Sequence, residues 1–296
     1  MLEKDALAAT PLSALAWLLE AGADEAMGET PVNRLAAAQS APAKTPAAPA
    51  PLTRPQQASP VAATLSPSGR GEDAIGDAIA AAAAANSLAG LKAALEAFEG
   101  CSLKRGAANT VFADGTPESG IMFIGEAPGR DEDRIGKPFV GKAGQLLDRM
   151  LASIGLDRAT NCYITNVINW RPPENRDPTP EEAAMCLPFL RRHIELVDPK
   201  IIILLGAVAA RHVMGITEGI MRSRGRWMEY RVGDRMVPIM PTLHPAYLLR
   251  QPAHKKLAWR DLQALAARIE EAGILPDGKP SSPKDLSRLA GTRYAG

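Results

Sequence analysis

Four short stretches carry residue types that can hold a polar ligand and break a bond in it. Gly125-Glu-Ala-Pro-Gly-Arg-Asp-Glu-Asp133 follows an apolar run and sets two carboxylates, Glu126 and Glu132, around a turn shaped by glycine and proline. It has no Gly-Lys-Ser/Thr element, and a carboxylate beside its first glycine would repel a phosphate, so a P-loop is excluded. Lys137-Pro-Phe-Val-Gly-Lys-Ala-Gly144 puts Phe139, one of only five phenylalanines, in a glycine-rich loop. Its ring is either a plug on the core edge or a platform for a flat ring. Thr165-Asn166 ends a strand-like run and precedes Arg171-Pro-Pro-Glu-Asn-Arg176. A strand-end asparagine is a common turn former, but its amide also offers donors and an acceptor side by side, as reading a base edge requires. Thr242-Leu-His-Pro-Ala-Tyr-Leu-Leu-Arg-Gln-Pro252 places His244 behind another apolar run, followed by Leu248, Leu249 and Arg250. Leucines beside an arginine in a loop suit insertion into a base stack with a phosphate contact nearby.

The elements that must position these residues can be read from periodicity. Apolar runs at 121–124, 163–167, 201–205 and 237–240 read as strands. Leu88, Leu91, Leu95 and Phe98 lie on one helical face, and the polyalanine before them extends that helix by propensity. Helices also follow at 146–154, 206–214 and 255–271, and at 181–197, where Thr179 is the N-cap, Pro180 the first helical residue and Glu181 and Glu182 the acidic first turn. Apolar strands alternating with helices make a parallel sheet covered on both faces, whose ligands bind outside the carboxyl ends of the strands. Three of the four strand ends carry the unusual sequences above.

The 296 residues are 46% hydrophobic and 23% charged, which excludes a wholly disordered chain. The longest apolar run, Ala78 to Ala85, is too short to span a bilayer, no leader-like segment opens the chain, and three cysteines make no disulfide framework; a cytoplasmic protein without membrane partners is expected. The sequence divides into an acidic segment (1–40) with one helix around Leu12, Leu15, Trp17, Leu18 and Leu19, a Pro/Ala-rich linker (41–72), a main domain (73–275) and a tail (276–296). Seven of the 25 prolines fall in residues 41–67, with no aromatic residue and no apolar period, which is the composition of a flexible linker. Near-neutral net charge (+1) hides an asymmetry: residues 200–260 hold eleven Lys or Arg against three acids, whereas residues 1–35 hold two against six. The basic stretch surrounds the histidine loop, as a phosphate-tracking groove would.

From about Cys101 to Ala272 the chain resembles the uracil-DNA glycosylase superfamily, most closely its family 4. The resemblance rests on GEAPG at 125–129, GKPFVGKAGQLLDRML at 136–151, YITNV at 163–167, RPPENR at 171–176 and HPAYLLR at 244–250, in that order. It implies a three-layer α/β/α sandwich with a four-stranded parallel sheet, and hydrolysis of the N-glycosidic bond of uracil in DNA. It implies that Glu126 and Glu132 belong to the loop that positions water and faces the sugar, and that Phe139 stacks on uracil beside Ala127. Asn166 would bond the N3 and O4 edge, and His244 the O2. Leu248, Leu249 and Arg250 would fill or brace the gap in the duplex, with Arg130, Lys142 and Arg171 also on the DNA. A monomer is expected, with a repair or replication partner as one reading of the N-terminal segment.

The departure from family 4 concerns its [4Fe–4S] cluster, which is held there by four cysteines. Here Cys101 and Cys186 match ligand positions, but Lys104 and Trp170 stand at the other two. Two thiolates do not hold a cubane, and Cys162 lies eight residues before the expected place. No cofactor and no metal ligand set is therefore expected, with Lys104 and Trp170 filling the space by packing and hydrogen bonding. The inserted-loop histidine of covalently trapping relatives is also missing from 169–176, so no trapping activity is expected. Two alternatives stand beside the glycosylase: a non-catalytic DNA-binding relative that kept the fold, and a nucleotide-binding α/β protein, against which the missing Walker lysine speaks.

Overall fold

Ile121–Gly125 (β2) lies at the centre of a six-stranded sheet. The computed structural model describes residues 69–274; the expected helix near Leu12, the linker up to residue 68 and the tail from 276 lie outside the described residues. In chain order the elements are α1 (Gly69–Ala84), α2 (Leu88–Ala97), β1 (Ala113–Gly115), β2, α3 (Arg130–Ile135), α4 (Lys142–Ala152) and β3 (Tyr163–Asn166). They continue with α5 (Pro180–Val197), β4 (Ile201–Leu205), α6 (Ala207–Met214), α7 (Ile220–Ser223), β5 (Met228–Val232), β6 (Arg235–Thr242), α8 (Pro245–Arg250) and α9 (Lys255–Glu271). Helix α1 begins four residues inside the stretch read as linker.

Strands β3, β2, β4 and β6 run parallel, which is the four-stranded core expected from the sequence. Two antiparallel edges extend it: β1 on β3, and β5 on β6 through a Gly233-Asp234 hairpin turn in which Gly233 has a positive φ of 55°. The core strands are apolar throughout because both faces are covered, and the strand period of two sorts them. Met122, Ile124, Ile202, Leu204 and Ile239 face the layer of α1, α2 and α5, and Ile121, Phe123, Ile201, Ile203 and Met240 face that of α4 and α9.

The polyalanine helix does not run into the next one, contrary to its propensity. Ser87 takes an extended conformation (φ −151°, ψ 160°), and its hydroxyl accepts from the Gly90 N–H at 3.1 Å, so it starts α2 as an N-cap. Helix α5 begins as its sequence requires, with Thr179 and Glu182 in a reciprocal capping box and Pro180 at the first position. Among the described residues no helix is long and apolar enough to cross a membrane.

Candidate active site

Parallel strands end on one side, so register decides what meets there. Gly125 pairs with Asn166, and Leu205 with Thr242. The segments that follow β2, β3, β4 and β6 therefore surround one cleft of about 500 Å³, lined by Glu126, Ala127, Phe139, Asn166, His244 and Arg250 among others. Arg130 and Lys142 are exposed at the starts of α3 and α4, outside the cleft lining, and Arg171 is half-buried with its Nε donating to Asn175 Oδ1 at 2.8 Å.

Asn166 is 2% exposed, yet its Oδ1 has no hydrogen-bond partner. A buried acceptor left unpaired costs about 1–3 kcal/mol, and so marks a place where a ligand supplies the missing donor. The approach is tight: a Cβ on Gly125 would lie 2.4 Å from that oxygen and 2.5 Å from Phe139 Cζ, so only glycine fits there.

Phe139 is buried in left-handed backbone (φ +55°), a conformation that costs a bulky residue on the order of 1–2 kcal/mol. Its ring centroid lies 5.5 Å from that of His244, tilted by 34°, so the two rings form adjoining walls. His244 caps α8: Nδ1 accepts from the Ala246 N–H at 3.1 Å, which leaves the ring proton on Nε2. Burial, assisted by Arg250, pushes its pKa down to about 4, so the imidazole is neutral at pH 7 and a donor at Nε2.

The two carboxylates differ. Glu126 is half-buried without a salt bridge; desolvation and the nearby Asp177 carboxylate push its pKa up to about 7, against the opposing pull of Arg211 and Arg250. Glu132 also borders the cleft, but its oxygens are spent on backbone. Oε2 accepts from Gly129 N–H (3.1 Å), and Oε1 accepts from Val140 and Gly141 N–H (both 2.9 Å). From the border of the cleft it ties the 125–133 turn to the Phe139 loop.

Leu248 departs from the open-loop reading of the sequence. It is 0% exposed and packs with Leu146, Met150, Leu243 and Leu262, because residues 245–250 form a helix and not an open loop. Leu249, 41% exposed, and Arg250 are what this segment offers outward. The basic stretch is also less concentrated than its sequence suggests: Arg224 is spent on buried Asp261, which also accepts from Thr242 Oγ1 at 2.6 Å, and Arg226 and Arg235 pair with Glu218 and Asp198. Sequence reasoning missed Asp177, Tyr247 and Gly206, all on the cleft. Of these Asp177 carried no signal, whereas Tyr247 lies within the HPAYLLR string and Gly206 closes the apolar run of β4.

The four positions of the family 4 cluster shell do not fit a cubane. Cys101 and Cys186 are buried and hydrogen-bonded to each other, and that contact together with burial holds Cys186 well above the ordinary thiol range. Trp170 is 1% exposed in the same apolar layer, with its Nε1 donating to Thr110 Oγ1 at 3.0 Å. Lys104 turns outward to the Glu96 carbonyl (2.6 Å) and the Glu99 carboxylate. Cys162 lies on the opposite face of the sheet, where burial pushes its thiol up to about 12. Among the described residues no group of three or more His, Cys, Asp or Glu could hold a metal ion.

Comparison with known proteins matches residues 112–263 to the family model of the uracil DNA glycosylase superfamily. A type-4 uracil-DNA glycosylase of Archaeoglobus fulgidus is 44% identical over 156 residues, 51% of this chain and 78% of the relative. Type-4 enzymes of Sulfurisphaera tokodaii (38% over 196 residues, 64% and 87%) and Thermotoga maritima (39% over 176 residues, 58% and 90%) are similar to it as well.

Proposed function

This chain belongs to the uracil DNA glycosylase superfamily, and from that premise we propose that it excises uracil from DNA by hydrolysing the N-glycosidic bond, leaves an abasic site, and does so without an iron–sulfur cluster. The observation that carries the reading is the buried, unpartnered Asn166 Oδ1 at the floor of a cleft walled by Phe139 and His244.

The target bond is hidden in the duplex stack, so the nucleotide must be flipped out, at a cost of a few kcal/mol. Phe139 stacks on the flipped ring. Asn166 Oδ1 accepts the uracil N3–H while its amide nitrogen donates to O4. Cytosine has no hydrogen at N3 and presents an amino group at position 4, so it leaves buried polar groups facing one another unpaired. As the bond breaks, negative charge gathers on the base and positive charge on the sugar. The neutral His244 donates from Nε2 to O2, and ionised Glu126 stabilises the sugar cation and orients the attacking water. Glu132 positions both loops through its backbone bonds. Leu249 and Arg250, at the outer end of α8, meet the gap and the phosphates. The fit of the residues at 101, 104, 170 and 186 supports a core closed by tryptophan packing in place of metal.

Uracil release from an oligonucleotide with a single uracil, by protein of measured iron content, tests this. Release at less than about 0.1 iron per chain, slowed severalfold or more in Asn166→Ala and His244→Ala, is expected. DNA binding without release would favour a non-catalytic relative. Release proportional to iron would overturn the cluster-free reading alone.

A further inference from the structure

Phe139 holds an unfavourable backbone conformation, so something outside the cleft must keep it there. Glu132 secures the residues after it. On the other side is Arg158, in the turn between α4 and β3, which belongs to neither the cleft lining nor the motifs singled out from the sequence. Its Nη2 donates to the Phe139 carbonyl at 2.9 Å and its Nη1 to the Pro138 carbonyl at 3.0 Å. Its remaining N–H groups go to carboxylates: Nε and Nη2 to Asp148 Oδ1 (2.8 and 2.6 Å) and Nη1 to Asp114 Oδ2 (3.3 Å). Each of the donors of the guanidinium thus has an acceptor, and three elements, α4, β1 and the α4–β3 turn, converge under one backbone step. The side chain of Arg158 is only 10% exposed, and Lys137 closes the network on Asp114 Oδ1 at 3.1 Å. The same Phe139 carbonyl is hemmed by α4 itself, where a Cβ on Gly144 would come within 1.8 Å of it.

We propose that Arg158 is a positioning residue for base stacking: its planar fork, braced by Asp148 and Asp114, clamps the Pro138 and Phe139 carbonyls and so presents the Phe139 ring to the flipped base. The inference rests on the excision reading for its kinetic part. Lysine keeps the charge but offers a compact ammonium with three donors, which cannot span this set of acceptors.

The test uses the full chain. In Arg158→Lys, single-turnover uracil release should fall at least tenfold. In a Phe139→Ala background, where no ring remains to be positioned, the same substitution should change release less than twofold. Hydrogen exchange gives a readout independent of activity: the Val140 and Gly141 amides should exchange at least tenfold faster in Arg158→Lys, with those of β4 unchanged. Equal losses of release in both backgrounds, or unaltered exchange at 140 and 141, would overturn the proposal. If the unmodified protein releases no uracil, the excision reading falls, and the exchange measurement still decides whether Arg158 clamps the loop.

Discussion

Replacing Asn166 by alanine is expected to leave the protein as stable as before or more stable, while its activity drops. Truncating a residue that is 2% exposed in a central strand ordinarily destabilises. Here the deleted Oδ1 is a buried acceptor without a partner, whose desolvation costs about 1–3 kcal/mol. The space left opens into the cleft and can hydrate, so the cavity term stays small, and the lost contacts of the amide offset about 1 kcal/mol of the gain. The net is between about 0 and +2 kcal/mol, which for a body of this size is a rise in Tm of up to about 8 °C. Ile164→Ala, in the same strand at 0% exposure, is the control and should lose about 2–5 kcal/mol. Removing two hydrogen bonds to a neutral base, at about 0.5–1.5 kcal/mol each, should slow single-turnover release from severalfold to about a hundredfold. Urea unfolding and release from a single-uracil oligonucleotide measure both sides. Asn166→Ala protein that loses more than about 1 kcal/mol yet releases uracil at the original rate would refute the reasoning.

Four further outcomes follow from the structure. The pKa of Glu126, raised to about 7, makes it protonated at lower pH; kcat/KM should therefore fall about tenfold per unit below pH 7, without that limb in Glu126→Gln, and Asp177→Asn should move the limb to lower pH. His244 adds nothing until near pH 4, although the proton it refuses in the folded state and accepts unfolded makes the fold lose stability as pH drops from about 6.5 toward 4, as urea titrations at several pH values would show. Trp170→Ala should cost about 3–5 kcal/mol by calorimetry, because the indole fills an apolar layer and its N–H bond to Thr110 is lost with it. Leu248→Ala should destabilise by about 2–5 kcal/mol, whereas Leu249→Ala should leave Tm unchanged and slow release from duplex more than from single-stranded DNA.

Much of this architecture was legible because burial on both faces leaves a simple imprint: Ile201–Leu205 is apolar throughout and cannot be an edge. The edges were not legible for the same reason. Strand β1 is only Ala113–Gly115, and β5 alternates half-buried and exposed residues that resemble a polar loop, although the Gly233-Asp234 turn beside it was a readable hairpin signal. Motif residues came together as strand polarity demands, since a parallel sheet delivers every strand end to one side. What sequence did not carry was how individual side chains are used. Glu126 and Glu132 are the same residue type six positions apart; one keeps a free carboxylate, while the other spends its oxygens on three backbone N–H groups. Leu248 and Leu249 are neighbours, and a short helix turns one inward and the other outward. Arg158, between a helix and a strand, looks like any surface arginine until the fold sets Asp114, Asp148 and the Phe139 carbonyl around it.

Gly125 ties three of these parts into one mechanical unit. With any side chain there, the Cβ would strike both Asn166 Oδ1 and the Phe139 ring. No substitution at this position is therefore a single step: the Asn166 amide and the Phe139 ring would have to move together with it. Exposed Asp177, on the rim of the same cleft, meets no such limit, because a replacement there faces solvent.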